Sequence, residues 1–248
     1  MAVYLIAALV TLVFTIVLTV AGLGAAFILV PIYLVLGVEM HAAQATALLL
    51  NAIAMAFACA RYIPARLVDF RVAVPIVIVA TILSPLGAYF SSFVPVTTLK
   101  WMFIGFLIFA GIMMLFYRPK PHEVAGRGEI VGVGLGVGGA AGFLGGMLGV
   151  GGGNFVVPAL VWLGLDAKRA AGTTAFVVVF ASFTGFLGQA SVATIDLALL
   201  AWTAAASIIG ALIGSWLMHR KLHAAQVKTS IGVLLFFMAA TMAYKLLA

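Results

Sequence analysis

Gly149-Val150-Gly151-Gly152-Gly153-Asn154, followed by Pro158, Gly164, Asp166 and Thr173, repeats a pattern that the chain has already carried once. The earlier copy is Gly22-Leu23-Gly24-Ala25-Ala26, followed by Pro31, Gly37, Glu39 and Thr46, and it lies 127 positions upstream with no gap. The register persists through Asp69 and Asp196, Gly87 and Gly214, and Gly105 and Gly232. Most of the chain is therefore an internal duplication. In a very apolar chain, duplicated halves with glycine-broken segments mark membrane transporters, and the breaks tend to form the substrate site.

The chain is that apolar. Its 248 residues are 66% hydrophobic and 8% charged, with a mean hydropathy of +1.31, too few charges to solvate a globule of this size. An integral membrane protein follows. The net charge of +7 is spread over short interhelical loops rather than along a stripe, which argues against a nucleic-acid partner. The single cysteine, Cys59, excludes an intrachain disulfide. Met1 to Ala21 lacks a basic n-region and reads as a retained helix rather than a signal peptide.

Charge-free runs cover 2–38, 42–60, 72–99, 101–117, 130–165, 170–195, 197–218 and 229–244. A bilayer span needs about 20 apolar residues. The first and fifth runs are too long for one span, since a helix of the 36 residues from Ile130 to Leu165 would exceed about 50 Å. Both carry their glycine break inside. Each is expected to be a hairpin whose returning arm, 25–36 or 153–163, is a half-helix reaching only part way across.

Basic residues set the sides. Arg61, Arg66 and Arg71, then Arg118, Lys120 and Arg127, then Lys168 and Arg169, then Arg220, Lys221 and Lys228 place 11 of 13 Lys and Arg on one face, read as cytoplasmic. The loops around Lys100 and Ser191 fall outside, as do both termini. Each half is then a hairpin plus three crossings, an odd number, so the second half enters upside down. Arg61, Arg66 and Arg71 match Gly188, Ala193 and Ala198, while Lys168 and Arg169 match His41 and Ala42. An inverted repeat predicts that exchange of sides. The expected architecture is an all-α integral membrane protein with an inverted-topology repeat: 1–117, a cytoplasmic linker 118–128, and 129–248.

The opening of a half-helix has N–H groups without intrahelical acceptors. Inside a membrane they must find protein, water or a ligand. Together with a positive helix end and glycines that admit a ligand to the backbone, they make an anion site. Gly151, Gly152, Gly153 and Asn154 are the stronger copy, and Gly22 and Gly24 the weaker. Close helix packing is the competing reading of any one glycine. It is preferred for Gly134, Gly138, Gly142 and Gly146, which recur every fourth residue along one face.

Gln44, Thr46, Asn51, Thr173 and Thr174, with Ser182, supply uncharged polar groups in the runs after the hairpins. An interhelical hydrogen bond is the alternative role for each. Glu39 and Asp166, like Asp69 and Asp196, are repeat-matched acids at loop-to-helix junctions and read as N-caps. Arg61 and Arg71 read as topology determinants rather than anion attractors. Gly134 to Gly139 matches G-x-G-x-x-G but lacks the preceding strand and the later acid of a dinucleotide site. The histidines have no metal-ligand spacing, no cofactor is expected, and Cys59 has no histidine in its own run to make an enzyme nucleophile.

The two motifs resemble those of the sulfite exporter TauE/SafE family of membrane permeases. The resemblance covers nearly the whole chain, with Ala25 and Ala26 in the first copy where the second has Gly152 and Gly153. It implies transport of a small sulfur-containing anion (sulfite, sulfoacetate or a related organosulfonate) across the bacterial inner membrane, with the lipid bilayer as surroundings and a homodimer left open. A secondary transporter working by alternating access is the expectation, and an anion channel using the same hairpins as a fixed pore is the alternative.

Overall fold

The structure, a computed structural model, describes residues 2–116, 126–219, 236–244 and 246–247. Most of the expected linker lies outside the described residues, as do Arg118, Lys120, Arg220, Lys221, Lys228, Gly232 and positions 229–235 of the last expected helix. The described residues contain helices and no strand. In chain order they are α1 (Ala2–Val20), α2 (Ala26–Val35), α3 (Met40–Tyr62), α4 (Phe70–Ser91), α5 (Val96–Phe116), α6 (Arg127–Leu148), α7 (Gly153–Trp162), α8 (Ala167–Ala190) and α9 (Leu197–His219). A further helical stretch covers 236–244.

Six of these helices, α1, α3, α4, α6, α8 and α9, are long and apolar enough to cross a bilayer. The returning arms α2 and α7 have 10 residues each, about 15 Å of helix and half a hydrocarbon core. Large apolar side chains such as Leu9, Ile82, Leu135 and Leu187 point outward, where lipid rather than water suits them.

Four helix starts, those of α3, α4, α8 and α9, follow from acids. Glu39 accepts hydrogen bonds from the N–H groups of His41 and Ala42, and Asp166 from those of Lys168 and Arg169. Asp69 accepts from Arg71 N–H, and Asp196 from Ala198 and Leu199. These carboxylates satisfy donors at the exposed helix ends. The Leu199 N–H, with the Tyr4 hydroxyl and Ala198 N–H, holds the Asp196 carboxyl below its usual range.

One boundary falls elsewhere than charge suggests. Lys100 divides runs three and four in the sequence, but the chain turns at Ser92–Pro95 and Lys100 sits on α5. Pro95 explains the turn: it has no N–H to continue α4 and pushes the residue before it out of the helical region. Lys168 and Arg169 similarly lie in the first turn of α8 rather than ahead of it.

The packing obeys the 127-residue offset. Helices α4 and α6 lie against each other, as do α1 and α9, while α3 pairs with α8 at the centre. Adding 127 converts α1 into α6 and α4 into α9, so the two outer pairs are one pair drawn twice. Each is closed by glycine. A Cβ on Gly87 would strike the Phe143 carbonyl, and one on Gly214 would strike that of Ile16. Phe143 and Ile16 are themselves repeat partners. The α6 glycines pack as their spacing suggests: Gly134 on Pro75, Gly138 on Ile76, Gly142 on Ala80 and Gly146 on Ser84. Between helices in lipid there is no hydrophobic drive, so close backbone approach is what small residues provide.

Helices α3 and α8 are the most enclosed, with 78% and 61% of their spans buried against 28% for α1. The two central helices carry the buried amides Gln44, Asn51 and Gln189 together with Thr46, Thr173, Thr174 and Ser182.

Candidate functional site

Both tips are built the same way. Helix α1 ends with Gly22 N–H bonded to the Thr19 carbonyl and Leu23 N–H to that of Leu18; α6 ends with Gly149 to Gly146 and Val150 to Gly145. Gly22 and Gly149 adopt φ of 69° and 73°, and Gly24 and Gly151 φ of 75° and 73°. Two left-handed residues within three positions reverse the chain, and glycine adopts them without the Cβ penalty. Gly152, at φ 74°, adds a third such residue to the second tip.

The tips meet. A Cβ on Gly153 would lie 2.5 Å from the Leu23 carbonyl oxygen, so the second tip rests on the backbone of the first. Asn51 of α3 lies between them: its amide blocks any Cβ on Gly24, and on the other side its Nδ2 would be 2.5 Å from a Cβ on Gly151. Ser182 of α8 completes the group, with its Oγ also 2.5 Å from that Gly151 Cβ position and accepting a 3.0 Å hydrogen bond from Asn51 Nδ2. Asn51 and Ser182 are buried.

Donors and acceptors are left over here. The N–H groups of Gly152, Gly153 and Asn154, and of Ala25, Ala26 and Phe27, have no backbone partner among the described residues. They are the first-turn donors that no helix can satisfy internally. Asn51 Oδ1 and Asn154 Oδ1 are buried and without partners, as are Gln44 Oε1 and Thr174 Oγ1.

The other candidates are distributed around this centre. Gln44 packs on Gly149 and donates from Nε2 to the Met147 carbonyl at 3.1 Å, tying α3 to the mouth of the second tip. Gly22 lies on the backbone of Ala171, the repeat partner of Gln44, next to the Gly172–Thr174 turn of α8. Thr46 and Thr174 are buried. Thr173 is spent on structure, its Oγ1 accepting the Asp69 N–H at 2.9 Å. Gly152 faces the Ala141 carbonyl of α6, a packing contact. Arg61 donates to the Leu212 carbonyl at 2.9 Å, away from the tips.

Ser182 was one polar residue among several in its run, and only folding reveals it as the partner of Asn51. Gln189 carries no motif. Its repeat partner is Tyr62, a different chemistry, so the offset alone does not flag it. In the fold its Nε2 donates to Ser91 Oγ at 3.0 Å and to the Gly146 carbonyl at 3.3 Å. His41 joins through Nδ1, 3.3 Å from Gln189 Oε1. Among the described residues no cluster of His, Cys, Asp and Glu could hold a metal.

Six helices long and apolar enough to cross a bilayer, two half-length ones and a polar centre where two broken helices touch fit a polytopic α-helical membrane protein of the transporter class. A family model described as Sulfite exporter TauE/SafE matches residues 6–242, and the chain belongs to that family of membrane transporters. It is 27% identical over 190 residues to "Probable membrane transporter protein YunE" of Bacillus subtilis (strain 168), covering 66% of this chain and 70% of that protein. No solved structure matches it.

Proposed function

We propose that this chain is a secondary transporter that moves a small sulfur-containing oxyanion, such as sulfite, sulfoacetate or a related organosulfonate, across the bacterial inner membrane. The observation that carries the reading is the convergence of both glycine tips on the buried Asn51, each tip with first-turn N–H groups that have no backbone partner among the described residues. Such groups bind anions by oriented dipoles, without a lysine or arginine in the bilayer. Gly151, Gly153, Asn154, Gly24 and Asn51 form the inner contact set; Gly22, Gly152, Gln44, Thr46 and Thr174 support it, and Thr173 contributes only by holding α8 to the start of α4. The family membership supports the substrate class.

The two halves insert with opposite orientation, both termini outside, and one repeat rocks against the other. The offset-related seams of α1 with α9 and α4 with α6 fit a two-fold exchange of the halves, and the absence of basic residues at Gly188, Ala193 and Ala198, the repeat partners of Arg61, Arg66 and Arg71, supports its inverted sense. The contact of Gly153 with Leu23 favours a carrier over a fixed pore, since the tips must part for an ion to pass.

Counterflow in proteoliposomes tests the reading. Internal unlabelled sulfite should accelerate uptake of labelled sulfite, with saturation. Flux that rises linearly with concentration and ignores internal substrate would make it a channel. Failure of sulfite and every sulfonate to bind or move would overturn the substrate class.

A further inference from the structure

The second tip offers acceptors as well as donors, and Gln44 shows this without ambiguity. Its Nε2 donates to the Met147 carbonyl at 3.1 Å. The reversed amide would set oxygen against oxygen, so this bond fixes which way the side chain faces. Its Oε1 is then a true acceptor, fully buried and without a partner. The Cβ and Cγ of Gln44 lie 2.6 Å from the Cβ position of Gly149, which sets the residue at the mouth of that tip. Asn51 stands seven residues further on, two turns along the same face of α3. Its partner is a hydroxyl that both donates and accepts, so its amide reads either way; that of Gln44 does not.

The backbone adds to the same side. Pro158 has no N–H to give the Asn154 carbonyl, four residues earlier in α7. Asn154 Oδ1 is likewise buried and unpartnered. An oxyanion with no hydrogen can accept from N–H groups but has nothing to donate to acceptors such as these. A buried acceptor left unpaired weakens binding, and a site built to hydrogen-bond a ligand rejects the analogue lacking the hydrogen.

We infer that the tip binds a monoanion carrying its own hydrogen-bond donor beside the sulfur, hydrogensulfite rather than sulfite, with Gln44 Oε1 accepting that hydrogen. The inference rests on the oxyanion reading of the site. It predicts that the donor, and not the charge or the shape alone, decides affinity.

The test compares ligands on the unaltered, purified protein by calorimetry. Hydrogensulfite is measured on the acid side of the hydrogensulfite/sulfite equilibrium and sulfite on the alkaline side. Methanesulfonate, a monoanion of similar shape with no donor at either pH, is the control, and aminomethanesulfonate restores an N–H. Methanesulfonate should bind about tenfold more weakly than hydrogensulfite, the loss expected from one unpaired buried acceptor. Its own affinity should not change with pH, while that for total sulfite should fall on the alkaline side. Gln44→Met should bring hydrogensulfite and methanesulfonate together. If that variant does not fold, the comparison on the unaltered chain still decides. Equal binding of methanesulfonate and hydrogensulfite, as when water fills the acceptors, overturns the donor inference and leaves the oxyanion site standing. Binding of none of the four ligands overturns both.

Discussion

Tyr62 and Gln189, 127 positions apart, do the same job with different chemistry. The Tyr62 hydroxyl donates to the Thr19 carbonyl at 2.8 Å, and Gln189 Nε2 donates to the Gly146 carbonyl at 3.3 Å. Thr19 and Gly146 are also 127 apart, three residues before Gly22 and Gly149. Each bond anchors the last turn before a tip to the far end of a central helix. The duplication has therefore kept a donor at a place rather than a residue type.

Gly151→Ala is expected to abolish transport. The left-handed backbone alone costs an alanine about 1–2 kcal/mol, and the added Cβ would press on Asn51 and Ser182. Gly105→Ala is the control: it lies within α5 with nothing inside 4 Å of its Cβ position. It should keep full flux and gain about 0.5–1 kcal/mol in stability. Proteoliposome uptake with thermal melting in detergent reads both, and normal uptake by Gly151→Ala would remove that tip from the transport path.

Asn51 and Ser182 should be energetically coupled. In a double-mutant cycle of Asn51→Ala and Ser182→Ala, the interaction term is expected at about 0.5–3 kcal/mol, as for residues sharing a buried hydrogen bond. Denaturant unfolding in detergent measures it. Simple additivity would mean that the bond does not hold the two central helices together.

Two glycines on one helix should behave oppositely. In α6, a Cβ on Gly142 would lie 2.7 Å from Ala80 Cα and its carbonyl oxygen, whereas Gly136 has nothing within 4 Å. Gly142→Ala should destabilise by about 1–3 kcal/mol through overpacking, and Gly136→Ala should stabilise by up to about 1 kcal/mol through helix propensity. Melting temperatures of the pair decide it. Matching shifts of the same sign would contradict the α4–α6 seam.

The Asp69–Arg169 ion pair, 2.9 Å long, should matter less than it looks. Both side chains are partly exposed, so Arg169→Ala is expected to cost no more than about 1 kcal/mol. Asp69→Ala should cost more, because the carboxylate also caps α4 through the Arg71 N–H. A larger loss for Arg169→Ala than for Asp69→Ala, seen in thermal unfolding, would reverse the assignment.

Topology is open to direct labelling. With Cys59→Ser as background, cysteines at the exposed positions Arg66 and Ser191 should react with an impermeant maleimide from opposite sides of the membrane. Reaction of both from one side would end the inverted arrangement.

The tips were legible because they rest on backbone conformation. A left-handed position restricts residue type, so Gly22, Gly24, Gly149 and Gly151 show in the sequence what they do in the chain. The caps were legible for the same reason, since Glu39, Asp69, Asp166 and Asp196 meet a local need. The turn at Ser92–Pro95 was hidden because Phe93 and Val94 keep the run apolar while the lysine that punctuates it stands five residues further on. Ser182 was one hydroxyl among several because its role depends on which helix faces which. Periodicity shows that α6 has a glycine face but not that α4 covers it.

That face has a consequence for how the protein varies. Where α6 meets α4, the contacting surface is already glycine backbone, and no side chain is smaller. Every substitution at Gly142 or Gly146 adds atoms to a closed gap. Drift on this seam can run in only one direction, toward crowding. A compensating change must therefore come from the opposite wall, where Ala80 and Ser84 have little left to give up.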